Sequence, residues 1–234
     1  MTNKKNIFCV SYENTTGVVL DTDPEFDIVV LSYAGNEYTG DLPVDHFINF
    51  KSECKGDLML HVLNYIDTEY STYDQVCVFD DDIDVNVSDI NKMFRISDEH
   101  SLDLFSATLS HDSSHSHKWT LTQAAGVRHV RWVEVMMPGF SKKFIDKLLP
   151  LYNAMYSDWN LKSGWGVDTQ LFKNVLKYIG GHGAVIDDVV VKHSREITSN
   201  NKKYSNGFTA GMEQKIINRY IRDYLDKYLH NQSN

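Results

Sequence analysis

Three consecutive aspartates, Asp80, Asp81 and Asp82, directly follow an apolar segment at residues 75–79. Like charges this close together repel, and a carboxylate is costly to remove from water unless a cation compensates it. Oxygen-rich groups of side chains are the ligands that Mg²⁺ and Mn²⁺ prefer. The cluster therefore indicates a divalent-cation site, and a solvated acidic turn is the alternative that the pattern leaves open.

Two other metal-dependent interpretations can be tested on the spacing of the same residues. An EF-hand loop needs Gly at its sixth position and Glu at its twelfth, where this chain has Val85 and Asn91, so we exclude it. An aspartyl-nucleophile phosphohydrolase also has an Asp-x-Asp pair after a strand, and Asp80 and Asp82 would form it. The residues that follow fit such an enzyme poorly, and this function stays open as an alternative.

The elements that must position these aspartates are predicted from hydrophobic periodicity. Short apolar or β-branched runs predict strands at residues 6–12, 26–34, 45–50, 75–79, 102–109, 130–140 and 184–194. Helical periodicity predicts helices at residues 56–70, 87–96, 141–156 and 211–230, and a Gly-rich turn with a helix within residues 164–181. This alternation predicts an α/β fold, in which a mixed, mainly parallel central sheet is flanked by helices. We expect one Rossmann-like domain over residues 1–200, followed by a loop and a C-terminal amphipathic helix over residues 201–234.

Three residues are predicted to shape the helices. Ser88 and Ser141 are candidate N-caps, because a hydroxyl at that position accepts a hydrogen bond from the first turn. Pro150 lacks the backbone donor of a helix interior and is predicted to interrupt its helix. The aspartates then fall at the carboxyl end of a strand, which is where α/β sheets bind ligands.

Composition and charge narrow the class of protein. The 234 residues carry a net charge of -9 without a basic block, so we expect no nucleic-acid partner. The three cysteines have no CxxC spacing, and Cys9 and Cys77 lie in apolar runs, which predicts buried thiols and a reducing compartment. The N-terminal apolar run is too short for a signal peptide, and no run approaches the roughly 20 residues of a membrane span. We therefore expect a cytoplasmic protein.

The predicted C-terminal helix has one apolar stripe and a polar face of mixed charge. Its stripe consists of Ile216, Ile217, Tyr220, Ile221, Tyr224, Leu225 and Tyr228. The mixed charge of the polar face favours packing on the domain over binding to a membrane surface. The same helix is a candidate surface for a homodimer.

The segment YDQVCVFDDDIDV resembles the strand and metal motif of GT-A glycosyltransferases. The segments VEVMMPGFSKKF, GWGVDTQLF and AVIDDVVVKHS follow in the order expected of that class. Together they resemble a little-characterised family of small GT-A-like proteins of plants, bacteria and large DNA viruses, over residues 26–194. The resemblance implies a GT-A-like domain and a metal-dependent glycosyltransferase. We expect a nucleotide-sugar donor, most simply a UDP-sugar, and a glycan hydroxyl as the acceptor, with inversion.

The resemblance also implies a metal site for Mn²⁺ or Mg²⁺. Asp82 would be a direct ligand, and Asp80 would be a second ligand or would hold the ribose and a metal-bound water. Asp81 would take either role. His193 ends the last strand, where many GT-A enzymes place a metal-binding histidine, although a single histidine is equally consistent with a structural role.

The catalytic base is assigned by the same resemblance. Asp168 follows the Gly-Trp-Gly turn and would deprotonate the acceptor, and an ordinary first-turn acid is the alternative. Trp165 would stack on a sugar face or anchor the core. Glu134 lies in a predicted apolar strand, where a buried acid needs a partner, and is the second candidate for the base.

Donor contacts are expected from two further segments. Val10, Ser11 and Tyr12 lie at the end of the first strand, where GT-A proteins generally hold the nucleotide base. Lys55 lies at a helix start and would meet a donor phosphate, with an exposed lysine as the alternative. His111, His115 and His117 lie in a polar loop that we interpret as solvated or substrate-covering. A catalytically inactive glycan-binding module remains the third functional alternative.

Overall fold

The computed structural model describes residues 5–70, 72–196 and 202–230 of the chain. The strands are β1 (Asn6–Tyr12), β2 (Val18–Val19), β3 (Asp27–Ser32), β4 (His46–Asn49), β5 (Gln75–Phe79), β6 (Ile83–Asn86), β7 (Leu104–Leu109), β8 (Val127–His129), β9 (Gly139–Ser141) and β10 (Gly183–His193). The helices are α1 (Lys55–Glu69), α2 (Val87–Glu99), α3 (Lys142–Trp159), α4 (Lys173–Tyr178) and α5 (Ala210–His230). A π-helical turn at Val167–Phe172 leads into α4.

The strands form one sheet in the order β2-β6-β10-β7-β9-β5-β1-β3-β4, and β8 pairs with β10. Strands β4, β3, β1 and β5 are parallel to one another. Strand β9 is antiparallel to both β5 and β7, so β7 and its parallel neighbour β10 point in the same direction as β5. The ends of β5 and β10 therefore meet at the same edge of the sheet. The predicted α/β fold with a mixed, mainly parallel sheet is confirmed.

Hydrophobic clusters cover both faces of this sheet. Helices α1, α3, α4 and α5 cover one face, and α2 covers the other. Because side chains alternate along a strand, Cys9 of β1 lies in the first cluster, and Val10 and Tyr12 lie in the second. Cys9 and Cys77 are fully buried, which confirms the prediction of buried thiols.

Helix α5 contributes to the first of these clusters. Ile217, Tyr220 and Ile221 are buried there, so part of the predicted apolar stripe packs against the domain. Among the described residues, no helix combines the length and the apolar character needed to cross a membrane.

One predicted strand needs correction. The predicted strand at residues 130–140 is irregular up to Pro138, and only Gly139–Ser141 pairs as a strand. The irregular part starts beside the first residue of β10, where the Val130 N–H donates to the Gly183 carbonyl, and reaches the end of β5, where the Asp80 N–H donates to the Met136 carbonyl, both at 2.9 Å. Glu134 therefore lies in a loop and not in a strand.

The helix-capping predictions had mixed outcomes. Ser141 caps α3, since its hydroxyl accepts from the Phe144 N–H at 3.1 Å. Ser88 does not cap α2, because the helix already begins at Val87 and the Ser88 N–H donates to the Asp21 carboxylate at 2.9 Å. Pro150 does not interrupt α3, which continues to Trp159. This proline lies on the exposed side of the helix, where water can satisfy the carbonyl that loses its partner.

Candidate active site

The three aspartates lie in the turn between β5 and β6, at the carboxyl edge of the sheet. They line a cavity together with Ser11, Tyr33, Ser52, Glu53, Cys54, Lys55, Leu58 and Arg195. Ser11 is the only one of the three predicted β1 residues in this lining, because Val10 and Tyr12 belong to the hydrophobic core. The side chains of Val10 and Tyr12 lie outside this lining, and their contact with a nucleotide stays a prediction.

Asp80 and Asp81 each have a cationic partner in this cavity. The Lys55 ammonium lies 2.6 Å from Asp80 Oδ1, and burial, which raises the pKa of Asp80, is opposed by that charge. Arg195 Nη2 lies 3.5 Å from Asp81 Oδ1, and the Tyr33 hydroxyl donates to Asp81 Oδ2 at 3.0 Å. Lys55, which is predicted to contact a donor phosphate, thus forms an ion pair with Asp80, which is predicted to be a metal ligand.

The first turn of α1 brings Lys55 to this position. Its second residue, Gly56, approaches the segment before the Gly-Trp-Gly turn so closely that an added Cβ would lie 2.2 Å from the Ser163 carbonyl oxygen. Only glycine fits this approach. The contact fixes the start of α1 between the aspartates and the turn that carries Asp168.

Asp82 is paired with His193, the last residue of β10. His193 Nε2 lies 3.4 Å from Asp82 Oδ2, and His193 Nδ1 lies 2.9 Å from the Ser114 carbonyl oxygen. A carbonyl only accepts, so Nδ1 carries a hydrogen and Nε2 faces the carboxylate. Burial raises the pKa of Asp82, but the hydrogen bond and charge of His193, with the charge of Arg195, outweigh burial and hold this pKa below its usual value.

The predicted metal site is only partly assembled. Within residues 5–70, 72–196 and 202–230, no three His, Cys, Asp or Glu side chains are grouped so that they could hold a metal ion. Asp80 is engaged by Lys55. Asp82 and His193 do fit as two ligands, because Asp82 Oδ1 is buried without a partner among the described atoms and Ser114 fixes the tautomer that leaves Nε2 available.

A second pair of carboxylates, Glu134 and Asp168, is almost fully buried, with exposures of 7% and 8%. Asp168 lies in the π-helical turn, and its Oδ1 accepts from the Thr169 N–H at 2.6 Å. The turn begins at Gly166, whose φ of 88° is costly for any other residue. Glu134 Oε2 is buried and has no hydrogen-bond partner in the described part of the chain.

Burial raises the pKa of both acids in this second pair. It raises the pKa of Asp168 to about 6, where the Thr169 N–H opposes the shift and the charge of Glu134 adds to it. Burial also raises the pKa of Glu134, against the opposing effects of Ser116, His193 and His115. A carboxylate with a raised pKa takes up a proton more readily, so these acids are suited to proton transfer.

The loop between β7 and β8 joins the two groups of carboxylates. The His193 N–H donates to the Ser113 hydroxyl, and the Ser114 N–H donates to the His193 carbonyl, both at 3.1 Å. Beyond this anchor, His115 acts electrostatically on Glu134, and His117 acts on Asp168. The loop therefore lies beside both sites, and His111 is exposed at its start.

Glu213 of α5 supports the turn that carries Asp168. It is fully buried and accepts from the Lys162 N–H at 3.1 Å and the Ser163 N–H at 2.6 Å. Trp165, in the same turn, is 47% exposed and does not anchor the core. Sequence analysis did not identify Glu213, because the Ser163 N–H from which it accepts lies 50 residues away along the chain.

The sequence therefore identified most of the acids but few of their partners. The structure brings Ser11, Lys55 and the three aspartates to one cavity, His193 to Asp82, and Glu134 close enough to Asp80 and His193 to interact electrostatically. The partners that sequence analysis missed are Tyr33, Ser114, Arg195 and Glu213. Each comes from a distant part of the chain, and none belongs to a recognisable motif.

Comparisons with known proteins bear on the fold. No protein family matches the sequence, and the search of curated proteins gives no significant match. Among solved structures, S. aureus TarS 1-349 has 11% identity and a TM-score of 0.47, and the match covers 80% of this chain and 59% of that chain. The same fragment in complex with UDP-GlcNAc has 12% identity and a TM-score of 0.50, with 93% and 71% covered. The chain thus has a fold similar to that of the second structure. It spans less than two thirds of the first.

Proposed function

We propose that this protein is a metal-dependent glycosyltransferase of the GT-A type, which transfers a sugar from a UDP-sugar to a glycan hydroxyl. The observation that carries the proposal is the meeting of two different acid groups at one edge of a glycosyltransferase-like sheet. One is the Asp82–His193 pair, and the other is the buried pair of Glu134 and Asp168. The structural neighbour TarS, a glycosyltransferase with UDP-GlcNAc bound in its crystal, supports a nucleotide-sugar donor.

The donor side of the proposed site uses the aspartate cavity. Asp82 and His193 would hold Mn²⁺ or Mg²⁺, which when bound would stabilise the negative charge of the leaving diphosphate. Lys55 and Arg195 add positive charge beside it, and either can move from its aspartate to a phosphate oxygen. Asp80 and Asp81 then keep these two cations in place before the donor binds.

The acceptor side uses the second pair of acids. With a pKa of about 6, Asp168 is ionised at neutral pH and is still more basic than an ordinary aspartate. It would take the proton of the acceptor hydroxyl while that oxygen attacks the anomeric carbon with inversion. Glu134 would accept a hydrogen bond from a neighbouring hydroxyl of the acceptor, which gives its unpartnered Oε2 a donor.

The competing functions have less support. An aspartyl phosphohydrolase needs Asp80 or Asp82 free to attack phosphorus, and both carboxylates are engaged by cationic side chains. An inactive glycan-binding module has no use for a buried acid with a raised pKa. Self-association through α5 and location in the cytoplasm stay predictions.

Calorimetry with UDP, with and without Mn²⁺, tests the proposal most directly. We expect binding that requires Mn²⁺ and is abolished by EDTA. Asp82→Ala should abolish it, whereas the matched control Asp84→Ala, at an exposed position two residues away, should not. Binding that is absent, or that is the same without the metal, contradicts the proposal. Phosphate release from p-nitrophenyl phosphate without a sugar acceptor would instead support the phosphohydrolase.

A further inference from the structure

Three aromatic side chains that the proposed mechanism does not use form a cluster beside the buried acids. The rings of Trp119 and Trp132 meet edge to face with centroids 4.8 Å apart. The His117 ring lies 5.1 Å from Trp132 and 6.1 Å from Trp119. All three side chains are only half-buried, so the cluster presents ring surface to solvent.

The position of this cluster connects it to the candidate active site. Trp132 lies two residues before Glu134, and His117 is close enough to Asp168 to lower the pKa of that acid. Trp165, three residues before Asp168, is also exposed. Trp132 and Trp165 thus adjoin the two acids in sequence, and Trp119 is connected to them through its ring contact with Trp132.

The backbone under the cluster is fixed independently of the rings. Arg128 Nη1 donates to the Trp119 carbonyl at 2.6 Å, and the Thr108 hydroxyl donates to the Thr120 carbonyl at 3.0 Å. Arg128 is itself held by the buried Asp187, with Nε 2.7 Å from Oδ2. Because these bonds already fix the loop, the rings are not needed to hold it in place, and their exposed faces are preorganised for a ligand.

We propose that the surface formed by His117, Trp119 and Trp132, here called the aromatic platform, binds the acceptor sugar ring. This inference rests on the proposed function and adds the class of acceptor, a saccharide that presents a pyranose ring. A pyranose ring has an apolar face of C–H groups that packs on an aromatic ring, and its hydroxyls project from the edge. Contact with the platform would leave a ring hydroxyl free to donate to Asp168 or to Glu134, whose Oε2 has no hydrogen-bond partner among the described residues.

Saturation-transfer difference NMR with methyl pyranosides of the gluco, galacto, manno and 2-acetamido series tests this directly. Sorbitol is the matched probe, because it carries similar hydroxyls without a ring. We expect saturation of ring C–H protons in at least one pyranoside and none in sorbitol. Trp132→Ala and Trp119→Ala should weaken binding about three- to tenfold, which corresponds to the usual worth of one aromatic contact.

Two variants separate loss of binding from loss of structure. Trp159→Ala removes a tryptophan that is 45% exposed on α3, away from the site, and should leave the signal unchanged. Trp132→Phe keeps an aromatic face and should restore most of the signal that Trp132→Ala loses. A signal that is equally reduced in Trp159→Ala, or not restored by Trp132→Phe, overturns the inference.

The same protein samples are titrated with UDP and Mn²⁺, so that failure of the platform inference can be distinguished from failure of the proposed function. If UDP binds with Mn²⁺ but no pyranoside gives a signal that depends on Trp119 or Trp132, the platform inference is wrong and the proposed function stands. If pyranosides bind to the platform but UDP does not bind, the acceptor role is overturned together with the proposed function. Tryptophan-dependent pyranoside binding together with metal-dependent UDP binding supports both.

Discussion

The aspartates of the β5–β6 turn and the acids Glu134 and Asp168 lie at the same edge of the sheet but in opposite electrostatic surroundings. The first group is matched by Lys55, His193 and Arg195. The second group has no lysine or arginine within ion-pair distance among the described residues, and burial raises the pKa of both of its members.

This contrast separates two chemical tasks that use the same functional group. Carboxylates that are paired with cationic side chains can exchange those partners for a metal ion, while the released cations meet a diphosphate. Carboxylates that are buried without a cation are poised to take up a proton, which is the pattern by which environment assigns different roles to acids in one active site. The contrast can be tested from either side.

The largest expected effect is on catalysis. Asp168→Asn should lower the rate of sugar transfer by about 10²- to 10⁴-fold, because general base catalysis contributes that much. Binding of UDP with Mn²⁺ should be unchanged, since the substitution lies on the acceptor side. The transfer rate is measured as UDP release at saturating donor, and Asp158→Asn, at an exposed position of α3, is the control.

If Asp168→Asn retains full transfer, the base lies elsewhere and Glu134 is the next candidate. Glu134→Gln then distinguishes the two acids. If Glu134 only holds an acceptor hydroxyl, its substitution should raise the KM for the acceptor more than it lowers kcat. A larger loss of kcat in Glu134→Gln than in Asp168→Asn would reverse the two assignments.

The pH dependence of transfer should follow the raised pKa of Asp168. A general base works only when ionised, so kcat/KM should rise about tenfold per pH unit below a pH of about 6 and level off above it. An ordinary aspartate would instead give a plateau down to about pH 4. A profile that is flat between pH 4 and pH 7 would be incompatible with the buried Asp168 as the base.

Asp82 and Asp168, one from each group, should also affect folding stability with opposite signs. The lowered pKa of Asp82 stabilises the folded state above the ordinary aspartate pKa, and this stabilisation is lost as pH falls through the lowered folded value. The raised pKa of Asp168 destabilises the folded state, by an amount that grows between about pH 4 and pH 6 and is complete above. At pH 7, Asp82→Asn should therefore lower the free energy of unfolding and Asp168→Asn should raise it, each by about 1–3 kcal/mol.

Urea unfolding at pH 7 and at pH 4 checks this pair of substitutions. The gain from Asp168→Asn should shrink at pH 4, because there the wild-type carboxyl is protonated in the folded state. Two substitutions of the same sign at pH 7 would show that the two surroundings are less different than the contrast requires.

Much of the fold could be predicted because its strands are short apolar runs. Residues 6–12 and 75–79 were predicted as strands with the bounds that the structure gives to β1 and β5. The segment at residues 130–140 misled the same argument, since its apolar residues up to Pro138 are mostly buried in irregular structure and only the last two belong to a strand. Hydrophobicity reports burial, and it does not distinguish a strand from a buried irregular segment.

The candidate site could be predicted only in part, and for a related reason. The aspartates were evident because they are adjacent in the sequence, and because three neighbouring charges after an apolar strand are costly unless a cation compensates them. The residues that hold the aspartates and the turn of Asp168 are not local, since Arg195 lies 114 residues from Asp81 and Glu213 lies 50 residues from Ser163. Only the folded sheet brings such residues together, so their roles had no signal in the local pattern.

The smallest expected effect comes from Arg195, which belongs to the charge-matched group but lies at its margin. Its side chain is 59% exposed and lies 3.5 Å from both Asp81 and Asp82, so it should contribute less than about 1 kcal/mol to folding. Arg195→Gln should nevertheless weaken UDP binding severalfold at low salt, because the diphosphate then loses a nearby cation. At high salt this difference should nearly vanish, since an exposed charge is screened.

Arg222→Gln, at an exposed position of α5, is the matched control, and calorimetry at two ionic strengths is the measurement. If Arg195→Gln does not change UDP binding at low salt, Arg195 serves only to balance the aspartates, and the cations that meet the diphosphate reduce to Lys55 and the metal.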